Sequence, residues 1–329
     1  MAAHDVMPDI ELFQPITVED ASAIAARLDG AGWILAGGQD TYGWLKDRAK
    51  HPGAMIDLAA IEGINGINAT ASGISIGAMT TLRDVMRDPL IAEKFPILTQ
   101  AAGRVASPQI RNQGTLGGNV AQDTRCWYYR RGLSCYRAGG NICYADSPEG
   151  MNREHALFGA SRCVAVSPSD TATALVAVDA TMVIHREGRE KRVPAEQFFI
   201  GPAINITHMT VLRPGDILTH VEIPNTWANT ESYFEKVADR DVWDFALVSI
   251  AAVMKTSGGV IDDARIVCGA VECVPRRLRS VEQALSGKPR NEQTADAVAG
   301  LASGGARTLN HNQFKVPLME NLVRRALRT

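Results

Sequence analysis

The sequence predicts an α+β protein of two or three domains whose last third is strand-rich and finished by helices. Three observations predict it. Half-buried strands announce themselves by alternation, as in Ile74-Ser75-Ile76. Glycine and proline turns punctuate such runs at Glu187-Gly188, Pro214-Gly215-Asp216 and Gly258-Gly259. Residues 232–269 read as three strands, and only after them do helical periods return at 280–285, 292–301 and 317–327.

Composition narrows the function classes. The 329 residues are 46% hydrophobic and 21% charged with a formal net charge of -2, so neither nucleic acid nor an acidic membrane surface is an expected partner. No apolar run approaches the roughly 20 residues that span a bilayer. The start, Met1-Ala-Ala-His-Asp-Val-Met-Pro, has no basic segment followed by an apolar core and is not a secretory signal. The expected compartment is the cytoplasm; the alternative is the periplasm, reached bound to a signal-bearing partner.

In chain order, Thr17 caps a helix over 21–28 with Glu19 and Asp20 in its first turn, and Gly30 closes it. A buried strand at 33–35 runs into a glycine turn and a helix over 42–50. Residues 54–58, 61–67 and 73–78 read as strands, 81–88 as a helix capped by Thr80 or Thr81, and 91–106 as a helix broken at Pro96. Residues 120–163 hold no period and read as an irregular loop; some 40 such residues in a compact domain need a staple or a function. Beyond it, Cys163-Val-Ala-Val ends a strand, and Ser169 or Asp170 caps a helix over 171–178. Residues 181–185 and 191–194 form a hairpin, 217–224 a strand, and 225–230 a polar linker.

Two glycine stretches carry the chemistry. Asn112-Gln-Gly-Thr-Leu-Gly-Gly-Asn119 has three glycines in eight residues, with Thr115 and Asn119 as polar contacts. Gly lets backbone approach a ligand closely, and successive free N–H groups make an anion site, so the stretch reads either as a pyrophosphate cradle or as a tight turn. Ala36-Gly-Gly-Gln-Asp-Thr41 is a second such turn between strand and helix. It lacks the Gly-x-Gly-x-x-Gly spacing of the common dinucleotide fold.

Six cysteines are present, and four of them, Cys126, Cys135, Cys143 and Cys163, fall in the irregular loop with the spacing Cys-x8-Cys-x7-Cys-x19-Cys. Clustered thiols in a cytosolic chain point to a metal or cluster site rather than disulfides. Four thiolates suit a zinc ion or an iron–sulfur cluster. Arg125, Arg130, Arg131 and Arg137 crowd the same loop, as counter-charges, as a docking face or as a solvated surface. His155 could replace one cysteine as a ligand, but a lone loop histidine is more often solvated; Cys268 and Cys273 read as inert core thiols.

Taken in order, Ala36-Gly-Gly-Gln-Asp40, Ile110-Arg-Asn-Gln-Gly-Thr-Leu-Gly-Gly-Asn119, Ser167-Pro-Ser-Asp170, Phe234-Glu-Lys236 with Asp244-Phe-Ala-Leu-Val-Ser249, and Phe314-Lys-Val-Pro-Leu318 resemble the FAD-binding (medium) subunit of the molybdenum hydroxylase and xanthine dehydrogenase family. The resemblance runs over nearly the whole chain. It implies a two-subdomain FAD-binding region of the PCMH type, 1–60 and 61–226, with the cysteine-rich insertion at 120–166, then a C-terminal domain at 227–329 of antiparallel sheet with helices. It implies that Leu35, Ala36, Gly37, Gly38, Gln39, Asp40 and Thr41 wrap the FAD diphosphate, with Thr115, Gly118 and Asn119 holding diphosphate and ribityl from the other side. Asp170 would bond the ribityl or adenosine hydroxyls. Leu218 and Lys236 would sit near the isoalloxazine, where a positive charge favours the reduced flavin and raises its potential. Val105 would stand where some relatives place an aromatic against the adenine.

A similar insertion in one bacterial type of aldehyde oxidoreductase and in 4-hydroxybenzoyl-CoA reductase holds a [4Fe-4S] cluster, which implies Cys126, Cys135, Cys143 and Cys163 as ligands here. The implied partners are a molybdopterin-binding large subunit, a small subunit with two [2Fe-2S] clusters, and ferredoxin or another one-electron acceptor. The implied role is electron transfer in an aldehyde-oxidising complex. The alternatives are an aroyl-CoA reductase or xanthine dehydrogenase-type complex, a self-sufficient FAD oxidoreductase, or a zinc-stapled scaffold.

Overall fold

The computed structural model describes Met7 and residues 9–328. Most of the N-terminal segment read above for a signal lies outside the described residues.

Three sheets carry the chain. The first is small and parallel: β1 (Glu11–Phe13), β2 (Gly32–Leu35) and β3 (Ala54–Asp57), in the order β1-β3-β2. The helix Val18–Arg27 crosses over between β1 and β2; Thr17 accepts the Asp20 N–H at its start, as its sequence position predicts. Ala21, Ala25, Ile56, Leu58, Ile61, Ile64 and Ile217 make the core of this layer.

The second sheet is antiparallel and drawn from distant segments: β4 (Ile67–Thr70), β5 (Gly73–Gly77), β6 (Thr181–Arg186), β7 (Arg189–Pro194) and β8 (Ile217–Pro224), in the order β4-β5-β8-β6-β7. The expected strand at 61–67 is mostly turn; Ile61 and Ile64 are buried from a loop instead. The Glu187-Gly188 hairpin forms with both residues at positive φ, as a two-residue turn of the right twist requires. Helices Leu82–Arg87, Pro89–Lys94 and Pro96–Gly103 follow β5, the break falling at Phe95-Pro96.

The third sheet holds β9 (Glu231–Val237), β10 (Val248–Ser257) and β11 (Val260–Gly269), with β12 (Arg276–Arg277) at one edge and β13 (Lys288–Pro289) on β11. Helices Arg279–Leu285, Glu292–Ala299 and Lys315–Leu327 close it, burying Met319, Leu322, Val323 and Ala326 against its outer face.

The helix Asp170–Ala177 is the hinge of the architecture. All eight of its residues are buried, because it lies in one core shared by the second sheet (Met182, Val221), the helix Pro96–Gly103 and the inner face of the third sheet (Ala251, Val253, Val267). Burying Leu175 and Val176 there contributes about 1.5–3 kcal/mol each. Ser169, not Asp170, is its N-cap, accepting the Ala172 N–H. Residues 163–166 pair with no strand. The supposed polar linker at 225–230 holds a short 3-10 turn, Asn225–Trp227, whose indole is 1% exposed and donates to Asp179 at 2.6 Å.

No helix among the described residues is long and apolar enough to cross a membrane.

Candidate functional site

The first glycine turn leaves β2 and enters the helix Thr41–Lys46. Gly38 sits at φ +73°, a conformation that costs a side-chain-bearing residue. Gly37 is where the two glycine stretches meet: a Cβ there would lie 2.1 Å from the Gln113 carbonyl oxygen and 2.9 Å from the Gly114 Cα. The N–H groups of Gly37, Gly38, Gln39 and Asp40 donate to no acceptor among the described residues. Four such neighbouring donors form a concave anion site. Thr41 Oγ1 accepts the Trp33 indole N–H at 3.0 Å, which fixes the far side of the turn.

The second stretch spends its donors internally. Leu116 N bonds Thr80 O at 2.9 Å, Gly117 N bonds Ala78 O at 2.8 Å, and Gly118 N bonds the capping Thr115 Oγ1 at 3.0 Å. It therefore stands as a shaped wall opposite the first turn more than as a second nest. Asn119 is buried, and its Oδ1 accepts the hydroxyls of Ser169 and Thr171, each at 2.6 Å. That bond ties the Gly-Gly-Asn motif to the Ser-Pro-Ser-Asp motif and leaves the Asn119 amide NH2 to donate elsewhere.

Asp170 and Lys236 form an ion pair at 2.5 Å with side-chain exposures of 4% and 3%. Lys236 Nζ also donates to Arg104 O at 3.0 Å. Burial pushes the Asp170 carboxyl above its ordinary range, against the pull of the Lys236 ammonium. The sequence separates these two by 66 residues; β9 and the buried helix bring them together.

A cavity of about 780 Å³ opens between these elements. Ala36, Gly37, Gly38, Gln39, Asp40, Thr41, Thr115, Gly118, Asn119, Asp170, Leu218 and Lys236 all line it, and so does Val105. Leu35 is the exception among the residues singled out: it is 9% exposed and lies outside the lining, its side chain turned beneath Gly38.

The cysteine-rich insertion lies beside this cavity and is tied to it. Asp40 of the first turn accepts Arg125 Nη1 at 2.7 Å, Arg130 Nη2, and the Trp44 indole at 3.1 Å. Arg137, 3% exposed, is held by Asp123 at 2.7 Å and by the Ile206 carbonyl at 2.8 Å. The buried arginines are internal staples, which removes Arg130 and Arg137 from any docking face; of the four, Arg131 is exposed and Arg125 half-buried. Tyr129 packs edge-on to Trp44 at 5.2 Å, joined by Cys135 in one small core.

All four loop cysteines are free thiols. Cys135 and Cys163 are buried, Cys126 and Cys143 half-buried. Burial raises the Cys126 thiol to about 12, and the neighbouring Cys163 and Cys143 push the same way. Cys163 is raised too, first by burial and then by Cys143 and Cys135. Cys126 and Cys163 thus favour the thiol form, with burial the largest cause in each. Among the described residues, no three His, Cys, Asp or Glu side chains converge as a single metal ion requires.

His155 is not solvated. It is 3% exposed, with Nε2 3.3 Å from Cys126 Sγ, and burial lowers it to about 4. A cavity of about 30 Å³ between Cys126, His155 and Asp170 shares Arg125, Pro168, Asp170 and Phe245 with the large cavity. The C-terminal segment clamps the insertion in place: Asn312 Nδ2 and Lys315 Nζ both donate to the His155 carbonyl, at 3.1 and 3.0 Å. No local pattern betrays this clamp, because its partners lie 160 residues apart.

Residues 8–226 match the family described as the FAD binding domain in molybdopterin dehydrogenase, and residues 232–329 match the CO dehydrogenase flavoprotein C-terminal domain. The chain is 33% identical over 307 residues to the FAD-binding subunit of an aldehyde oxidoreductase of Escherichia coli, covering 92% of each. It is 27% identical over 326 residues to the carbon monoxide dehydrogenase medium chain of Hydrogenophaga pseudoflava, covering 98% of this chain and 97% of that one. A solved carbon monoxide dehydrogenase from that organism superposes with a TM-score of 0.78 at 27% identity over 98% of this chain and 97% of that one. Quinoline 2-oxidoreductase from Pseudomonas putida superposes with 0.76 at 28% identity over 98% of this chain and 96% of that one.

Proposed function

The chain belongs to the family of FAD-binding subunits of molybdopterin dehydrogenases, and on that premise we propose that it carries both FAD and a [4Fe-4S] cluster in a molybdenum hydroxylase complex. The observation that carries the reading is the single large cavity closed between the two glycine turns, with a ring of unpaired N–H groups at one wall and a buried ion pair at another.

The residues fit an extended dinucleotide. The volume suits a ligand of that size. The N–H groups of Gly37 to Asp40 would hold a diphosphate, and the missing Cβ of Gly37 lets the opposite wall close over it. The amide NH2 of Asn119 would donate to the same group. Asp170 would accept ribityl hydroxyls while Lys236 holds positive charge by the ring, with Leu218 and Val105 as apolar walls. FAD bound there would exchange pairs of electrons on one side and single electrons on the other. Residues 1–60, 61–226 and 227–329 are assigned as the two FAD-binding subdomains and the C-terminal flavoprotein domain.

Cys126, Cys135, Cys143 and Cys163 are proposed to hold the cluster. Support comes from four free, mutually sensing thiols in one loop, one wall away from the flavin cavity. A single zinc would also take four thiolates, about 2.3 Å from one point, and metal analysis separates the two. The electrons would arrive from a molybdopterin-binding large subunit through a small subunit with two [2Fe-2S] clusters, and leave to ferredoxin or a similar one-electron carrier. An aldehyde is the proposed substrate of the complex, on the strength of the E. coli relative. Six free cysteines fit the cytoplasm as its compartment.

The test is cofactor analysis of the chain purified with its partners. About eight iron with acid-labile sulfide per complex, four of them from the small subunit's two [2Fe-2S] clusters, and one flavin per chain are expected, with flavin bleaching on addition of an aldehyde. About four iron, with or without a zinc, would overturn the cluster, and a complex without flavin would overturn the whole reading.

A further inference from the structure

We infer that His155 is a hydrogen-bond donor to the Cys126 sulfur and sets the reduction potential of the centre that this thiolate holds. The inference rests on the cluster reading above and deepens it. Three observations carry it. His155 Nε2 lies 3.3 Å from Cys126 Sγ, inside the range of a bond to sulfur. His155 Nδ1 is buried without a hydrogen-bond partner. The backbone that carries the ring is held from outside the insertion, because Lys315 and Asn312 both donate to the His155 carbonyl.

These fix the tautomer. A thiolate bound to metal has no proton to give, so the ring nitrogen facing it must be the donor. Nδ1 makes no hydrogen bond of good geometry, and the Asn152 carbonyl acts on the ring less than burial does, so Nδ1 is left as the bare nitrogen. The neutral ring with Nε2–H is therefore the form the surroundings select. Lys315 is fully buried and also donates to the Ala270 carbonyl at 2.8 Å, so the His155 backbone is fastened to the third sheet. The donor is positioned before any metal arrives, and no other group needs to move to aim it.

Hydrogen bonds to cluster sulfurs stabilise the more electron-rich state and raise the potential. Removing this one should lower the cluster's potential relative to the flavin next door. A tenfold change in the reduced-to-oxidised ratio at fixed ambient potential is the expected size, equal to about 59 mV for one electron.

The experiment is an EPR-monitored redox titration of the full-length chain purified with its partner subunits, in wild type, His155→Leu and His155→Gln, with iron and sulfide counted in each. The inference expects unchanged iron in His155→Leu, a downward shift of the cluster signal alone, and a return toward wild type in His155→Gln, which keeps an N–H donor. Full iron with an unshifted potential in His155→Leu overturns it. If His155→Leu loses iron, retention of iron in His155→Gln supports the donor role, and loss in both overturns it in favour of shape alone. A wild-type complex holding only the roughly four iron of its two [2Fe-2S] clusters would instead sink the cluster reading itself.

Discussion

Substituting Lys236→Met tests the ion pair on which the cavity wall is built. In the folded protein the Asp170 and Lys236 side chains are 4% and 3% exposed and 2.5 Å apart. Methionine keeps the volume and removes the charge. It strands a carboxylate that is only 4% exposed at the cavity wall, and it leaves the Arg104 carbonyl without its donor. Breaking a buried pair in this way costs about 3–5 kcal/mol. At roughly 2–4 °C per kcal/mol for a domain of 150–250 residues, the unfolding temperature should fall by about 6–20 °C in FAD-free protein.

The pH dependence carries a sign. Asp170 is already raised above 3.8 in the folded chain, with burial the largest cause. The folded state thus keeps its proton at pH values where the unfolded chain has lost it. This group's contribution to stability is greatest at low pH and is lost as pH rises through its folded-state value. Without Lys236 that value climbs further, so the deficit of Lys236→Met should shrink between pH 8 and pH 5. Asp170→Asn combined with Lys236→Met should recover most of the loss, since a neutral isostere leaves no charge stranded. Thermal melts of the wild type, both single variants and the double variant at both pH values make the cycle complete. A loss below about 1 kcal/mol, or a deficit that grows on acidification, would refute the reasoning.

Three further outcomes follow from the same geometry. Gly37→Ala should cost about 1–3 kcal/mol of overpacking and lower the flavin-to-protein absorbance ratio, because its Cβ would meet the Gln113 carbonyl at 2.1 Å; Gly53→Ala, with nothing within 4 Å of its Cβ, should change neither. Asn119→Ala removes the acceptor shared by Ser169 and Thr171, and a loss of about 1–3 kcal/mol should appear in urea midpoints even without FAD. Lys315, lowered to about 7 by burial, binds its proton more weakly when folded; wild-type stability should therefore climb as pH rises from about 7 toward 10.5, and Lys315→Met should abolish that slope in urea melts at pH 7 and 9.

What the sequence made legible is what short-range chemistry encodes. Thr17 and Thr81 cap the helices that follow them because a hydroxyl three residues upstream of an N–H needs no tertiary context. Gly258-Gly259 turns β10 into β11 for the same local reason, with both residues at positive φ. The two glycine turns and Asp170 were readable as motifs, and all reach the one cavity. Trp227 was not readable, because one apolar residue in a polar run has no period to betray it, and its burial depends on Asp179 and the second sheet's core. Leu35 lies outside the cavity lining for a related reason: alternation along β2 leaves Ile34 more exposed and buries Leu35, so the turn itself lines the cavity from Ala36 onward.

The functional contacts that escaped the sequence share a physical type. They are charges and polar groups satisfied by residues from 14 to 160 positions away, such as Arg137 with Asp123 and Lys315 with the His155 carbonyl. The sequence placed Arg125, Arg130, Arg131 and Arg137 close together in the insertion and suggested a surface, but a buried guanidinium must be paired, and among the described residues Arg130 and Arg137 pair with Asp40 and Asp123. Asp40 is thereby spoken for. It sits in the first glycine turn on the cavity wall, and Arg125 and Arg130 reach it from the insertion to offset its charge. The thiol-bearing loop is thereby fastened to that turn by ion pairs, and that is how an irregular stretch of some 40 residues is held without a sheet.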